Sequence, residues 1–327
     1  MIFFKKLQQY LHYWFAITII AALPLGYYFP GLSALKVVVP YLLFVMLYPM
    51  MINLRIEDIF KAFTNMRLLL ISITVNFIIS PILGAIWAYF LFHNADPYLA
   101  IGFILKVTVP CSGMVAAWTG FAKGRVESAL ALIALSFVIA VFMVPLMMWL
   151  LADTYVQIHP FMLFNKMILI VVVPLAAGLI TRKLIVKKIG PKKYKEKIAP
   201  IFPGISTCAV LPMIFIIIGS QAGFIITNYQ WALLVILGIA TLYPILTLIS
   251  LSFSRFADVD FGDGIALAYS GTAKNHAITI GLATTAFGGT SAVFPAAVAP
   301  IIQMPIMLMI LRLAPKIRKI LEHRAIT

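Results

Sequence analysis

The sequence predicts an all-α polytopic membrane protein with ten transmembrane helices, built as two inverted five-helix repeats in which helices 4 and 9 are broken. Three features carry this prediction. The chain is 63% hydrophobic and 11% charged, with a mean hydropathy of +1.06, more apolar surface than a soluble domain hides. Apolar runs close to the roughly 20 residues that a helix needs to cross a bilayer recur along the whole chain. Three prolines also return at one fixed offset of 163 residues.

The runs lie near residues 11–29, 34–53, 68–92, 98–121, 126–151, 160–181, 200–222, 230–254, 261–287 and 291–313. They are apolar on every face, whereas barrel strands alternate apolar and polar residues. No stretch remains for a soluble domain. The first run lacks a small-residue cleavage site and reads as a retained helix, not a signal peptide.

A net charge of +15 suggests nucleic acid until its placement is read. Lys5 and Lys6 precede span one; Arg55, Lys61 and Arg67 follow span two; Lys123 and Arg125 follow span four. The run "RKLIVKKIGPKKYKEK" follows span six, Arg255 follows span eight, and the tail carries Arg312, Lys316, Arg318, Lys319 and Arg324. In the opposite connections Lys36 is the exception. This positive-inside pattern predicts a multi-pass protein of the cell (cytoplasmic) membrane with both termini cytoplasmic. The basic run is then a topology signal in preference to a lipid or nucleic-acid site. Membrane lipid and a small-molecule or oxyanion substrate are the expected partners, with no nucleic acid and no cofactor. Cys111 and Cys208 both fall inside spans, so no disulfide framework is expected.

The recurring prolines are Pro40 and Pro203, Pro49 and Pro212, and Pro81 and Pro244, the last pair inside a shared "PIL". Each Pro imposes the same kink on its helix, so spans two and three correspond to seven and eight. Pro24 pairs with Pro174 at offset 150, the basic loop after span six absorbing the difference. The repeats are then residues 1–155 and 156–327. Five spans per half is an odd number, which turns the second copy upside down, a hallmark of transporters.

The same offset carries Cys111 onto Lys274. The first sits in "VTVPCSGMVAAWTG" (107–120) and the second in "YSGTAKNHAITIG" (269–281), where two apolar spans are interrupted by polar and helix-breaking residues. Irregular backbone at membrane depth survives only when buried in protein or lining a cavity. Matched interruptions in two halves point to a substrate site near the midplane.

Lys274 and Lys106 are the sharpest candidates, since an ionisable group in a span costs about 2.5–3.5 kcal/mol on insertion scales and is usually functional. Desolvation disfavours a charged amine, which suits Lys274 to proton coupling. Lys106 either binds substrate or snorkels to the interface. Ser112, Ser270, Thr272 and Asn275 supply polar atoms at the breaks. Asn76, followed by Ser80, reads as a brace for a broken helix as well as a substrate-binding candidate. His276 and Gln303 either line the cavity or bond across helices. Cys111 is a soft ligand suited to a thiophilic metalloid, or else a buried small hydrophobe. Cys208 reads as packing.

All ten Asp and Glu fall in loops or at span ends. A dehydrated sodium ion wants several oxygens, usually including a carboxylate, so neither a metal site nor sodium coupling is expected. A hydrolase using Ser270 and Lys274 at i,i+4 spacing would need regular helix where the break disfavours it. The protein is read as a non-enzyme.

Residues 46–83, "MLYPMMINLRIEDIFKAFTNMRLLLISITVNFIISPIL", resemble the arsenite efflux permeases of the arsenical-resistance type, and "PCSGMVAAWTGFAKG" (110–124) looks like their fourth-span motif. Those permeases share a superfamily with the bile acid:sodium symporters, and the resemblance covers nearly the whole chain. It implies ten spans, inverted repeats and crossed broken helices four and nine. Cys111 then takes the place of the permeases' functional fourth-span cysteine. Their ninth-span motif of Asn, an aromatic and Glu reads here Asn275, His276 and Ala277, without the glutamate. The symporters' fourth-span Ser and Asn sodium ligands align with Val115 and Ala116, and their ninth-span Glu and Gln with Ser270 and Lys274. A lysine there resembles the change by which some sodium-coupled transporters become sodium-independent. The expectation is proton-coupled export of arsenite or a small oxyanion by antiport, the alternative a sodium-independent organic-anion transporter.

Overall fold

A computed structural model describes residues 11–54, 57, 60, 65–288 and 290–322, and among them it is all helix with no strand. Lys5, Lys6, Arg55, Lys61 and Arg324 of the charge pattern lie outside the described residues. Helices α1 (Leu11–Tyr28) and α2 (Val39–Ile52) are followed by α3 (Met66–Phe92) and by a pair of short helices, α4 (Pro97–Thr108) and α5 (Met114–Phe121). Next come α6 (Val126–Ala152), α7 (Pro160–Ile189), α8 (Phe202–Ser220) and α9 (Tyr229–Phe256). A second short pair, α10 (Phe261–Thr272) and α11 (His276–Ala286), precedes α12 (Phe294–Glu322). Among the described residues, seven helices are long and apolar enough to cross a membrane. The runs at 98–121 and 261–287, expected to be broken, form these two pairs of short helices.

The helices start where side chains can cap them. Asn65 accepts the Leu68 amide (3.1 Å), Asp96 the Tyr98 amide (3.1 Å), Asp260 the Asp263 amide (3.1 Å) and Asn275 the Ile278 amide (3.2 Å), each answering one of the donors a helix start leaves open. The short helices α4 and α10 are both 12 residues long. Their caps also reach across the fold in matching ways. The second oxygen of Asp96 accepts Ser291 Oγ (2.5 Å), just ahead of α12, and that of Asp260 accepts Arg125 Nη2 (2.9 Å), just ahead of α6.

Arg125 also pairs with Asp263 (2.6 Å), which takes hydrogen bonds from Ser128 Oγ (2.6 Å) and Asn65 Nδ2 (3.0 Å), while Arg67 donates to the Ala257 carbonyl (2.7 Å). The connections carrying Arg67, Arg125 and Asp260 therefore gather at one end of the molecule. Asp263 is buried, and its carboxylate is affordable there only because it is fully bonded.

α8 lies along α2 and α1, and α7 along α2; α9 packs against α10 and α12, and α4 against α3 and α6. The approach of α4 to the start of α12 needs a bare backbone: a Cβ on Gly102 would overlap the Ala292 carbonyl. Gly102→Ala is expected to lower stability by about 1–3 kcal/mol, the usual penalty for overpacking, read as a fall in Tm of the purified protein. An unchanged Tm would show that α12 can yield. Cys208, expected to serve packing, is instead exposed on α8, because an all-apolar run does not mark which face turns to lipid.

Candidate functional site

α4 stops at Thr108 because Pro110 offers no N–H and pushes Val109 into extended backbone (φ −63°, ψ 158°). α10 stops at Thr272, and Asn275 restarts the chain as the cap of α11. The two broken stretches lie against each other, antiparallel, with Cys111 opposite Lys274. Ser112 N donates to the Ala273 carbonyl (2.7 Å) and Asn275 N to the Pro110 carbonyl (3.0 Å). Each break thus satisfies the backbone groups that the other exposes, as a membrane interior demands. The ends of α4 and α10 and the starts of α5 and α11 all meet here, and the helix starts present partial positive charge.

Lys274 is fully buried, and its amine donates to Asn76 Oδ1 (2.9 Å) and to the Asn76 carbonyl (3.3 Å). That carbonyl lies in a π turn, Val75–Ile79, which loosens the hydrogen-bond ladder of α3. The Asn76 amide nitrogen donates to the Ser72 carbonyl (3.0 Å), with Ser72 Oγ at 3.3 Å and Ser270 Oγ at 3.5 Å. Ser80 Oγ ties the same helix to the Val107 carbonyl (2.7 Å). Among the described residues the buried carboxylate is Asp263, nine residues before the end of α10 and so roughly 13 Å away along the helix axis at ~1.5 Å per residue. Asn76→Ala is expected to cost about 1–3 kcal/mol by stripping the buried amine of its side-chain acceptor. A Tm shift below one degree would mean that the carbonyl contact suffices.

Lys106 is also fully buried, but its amine finds no hydrogen-bond partner in the protein. It lies 5.9 Å from the centre of the Tyr243 ring, with Lys274 and His276 within electrostatic reach. Tyr243 Oη, Asn275 Nδ2, His276 Nδ1 and Gln303 Oε1 are likewise buried without a partner. Lys106, Tyr243 and Asn275 thus all keep unpaired donors in the protein interior, Lys106 lying against the Tyr243 ring, and unpaired buried donors call for an explanation.

The other candidates have their hydrogen bonds committed within the protein. Cys111 is fully buried with its thiol against Ser136 Oγ (3.2 Å), and Ser136 itself donates to the Ile133 carbonyl (2.8 Å), so the S–H is the donor. Ser270 donates to the Leu267 carbonyl (3.0 Å) and Thr272 to the Ala268 carbonyl (2.9 Å). No serine–lysine couple exists there, since the Lys274 amine turns to Asn76. Ser112 Oγ accepts the Met114 amide (3.3 Å) at the start of α5. Reasoning from sequence missed Tyr243 and Ser136. Tyr243 carried a signal: it precedes the second "PIL" as Ser80 precedes the first.

Residues 40–228 match the model of the Sodium Bile acid symporter family. An arsenical-resistance protein of Alkaliphilus metalliredigens is 24% identical over 95% of this chain and 93% of its own. A second, from Corynebacterium glutamicum, is 24% identical over 92% and 86%. An uncharacterized transporter of Synechocystis is 22% identical over 94% and 88%.

Proposed function

This chain belongs to the Sodium Bile acid symporter family, and we propose that it exports arsenite or a related small oxyanion in exchange for protons, without sodium. It is a multi-pass membrane transporter and its relatives are not enzymes. The carrying observation is the Lys274 amine, hydrogen-bonded to Asn76 where the two breaks meet, with no carboxylate at that depth among the described residues. A fixed amine repels a bare cation, and it provides a group that can take up and release a proton within the membrane.

The finer architecture belongs to the same proposal: ten spans, with residues 1–155 and 156–327 as inverted repeats and both termini cytoplasmic. The equal lengths of α4 and α10 and the matched reach of Asp96 and Asp260 support it. In this reading α1, α2, α7 and α8 form a panel that moves against the core holding both breaks. Cargo is drawn by the helix starts and by the free donors of Lys106, Tyr243 and Asn275. The Cys111 thiol reaches a metalloid when its contact with Ser136 opens. The arsenical-resistance relatives support arsenite.

A second reading, sodium-independent transport of an organic anion, is favoured by Lys106, whose amine would serve a carboxylate equally well. Everted vesicles separate the two. In a Cys208→Ser background, arsenite should accumulate and should protect Cys111 from a maleimide. If arsenite neither moves nor protects while an organic acid does both, the second reading replaces the first.

A further inference from the structure

Beyond the transport site, the structure holds a basic cavity of about 390 Å³ at the far end of α7, lined by Asn53, Arg182, Lys192, Tyr194 and Lys195 among others. Its size lies within the ~300–1,000 Å³ of small-ligand sites. No carboxylate lines it. The Arg182 guanidinium lies over the Tyr194 ring, 5.4 Å from its centre, and its Nε is buried with no hydrogen-bond partner in the protein. Tyr194 is fixed in turn: its hydroxyl meets the Ile52 carbonyl (3.1 Å) and Asn53 Oδ1 (3.0 Å), while Asn53 Nδ2 donates to the Ala199 carbonyl (3.1 Å). A stacked, oriented guanidinium with a free buried N–H beside two exposed lysines is a fork without its anion.

The depth of the cavity indicates the source of that anion. On the turns flanking Arg182, α7 exposes Ile180 and Leu184, side chains that belong in hydrocarbon. The same helix then carries Lys187 and Lys188 and ends at Ile189. The cavity therefore opens where apolar surface gives way to charge, which is the level of lipid phosphates in a bilayer. We propose that Arg182, Lys192 and Lys195 bind the phosphate of an anionic phospholipid headgroup. The bound lipid would fasten α2 to α7 and to the approach of α8, because Tyr194 and Asn53 join all three.

Native mass spectrometry of the delipidated full-length protein tests this with short-chain phosphatidylglycerol, phosphatidylcholine and inorganic phosphate as separate probes. Phosphatidylglycerol should bind saturably and raise Tm, the other two weakly or not at all. Arg182→Gln/Lys192→Gln/Lys195→Gln should weaken that binding about a hundredfold, each basic residue contributing roughly fivefold at an anionic surface. Lys187→Gln/Lys188→Gln, which removes charge outside the cavity, should leave it intact. Arg182→Lys, which keeps the charge and loses the fork, covers the case in which the triple variant does not fold, and should still weaken binding. Equal binding of phosphatidylcholine, or equal loss in the Lys187/Lys188 pair, would overturn the site. Binding of inorganic phosphate as tight as that of the lipid would overturn the lipid as its ligand.

Discussion

Lys274→Gln brings proton-driven transport down at least about tenfold, the loss of ~1.4 kcal/mol or more of interaction at the site, while the protein stays folded. The amine lies where the two breaks pair, and it is held by both oxygens of Asn76. Glutamine keeps a donor for the Asn76 side chain, so the buried acceptors are not orphaned and stability falls little. It cannot carry a proton across the cycle. Flux driven by a pH gradient therefore drops to the level of empty vesicles while Tm remains near wild type. Normal pH-driven flux in this variant would remove Lys274 from the coupling step and leave it as a brace for α3.

Lys106→Met separates function from stability in the opposite way. A buried amine without a hydrogen-bond partner is a standing cost, and methionine fills similar space with no polar atom to satisfy. The variant should be as stable as the parent or more so, by up to about 1–3 kcal/mol, and should transport poorly because the cargo loses its free donor. Stability bought at the expense of activity is the mark of a functional residue. A clear loss of Tm with undiminished flux would mean that the amine braces the fold and does not meet cargo.

Much of this site was legible in the sequence, for reasons that can be named. Pro110, Gly113 and Gly271 mark the interruptions because each weakens a helix in a medium that offers no other backbone partners, and the proline offset made Cys111 and Lys274 equivalent positions of the two halves, which the structure sets opposite each other. The pairing of Lys274 with Asn76 was not legible, since it joins residues 198 positions apart. Nor was the division among the polar candidates. Ser270 and Thr272 turn their hydroxyls back to carbonyls three and four residues earlier, a local choice of rotamer that composition does not encode. Cys111 faces Ser136 on α6, a contact 25 residues apart that only the packed fold makes. The Arg125, Asp260 and Asp263 cluster was hidden because Arg125 precedes α6 while both aspartates stand at the start of α10, two helix starts that only the packed fold brings together.

The central claim, that a lysine amine stands in place of a sodium site and carries the coupling proton, is tested most directly by flux in proteoliposomes with the sodium and pH gradients imposed one at a time. Because protons run opposite to cargo, a pH gradient alone, acid on the side the cargo enters, should drive accumulation, and a sodium gradient alone should drive none. Accumulation driven by sodium at uniform pH would contradict the account.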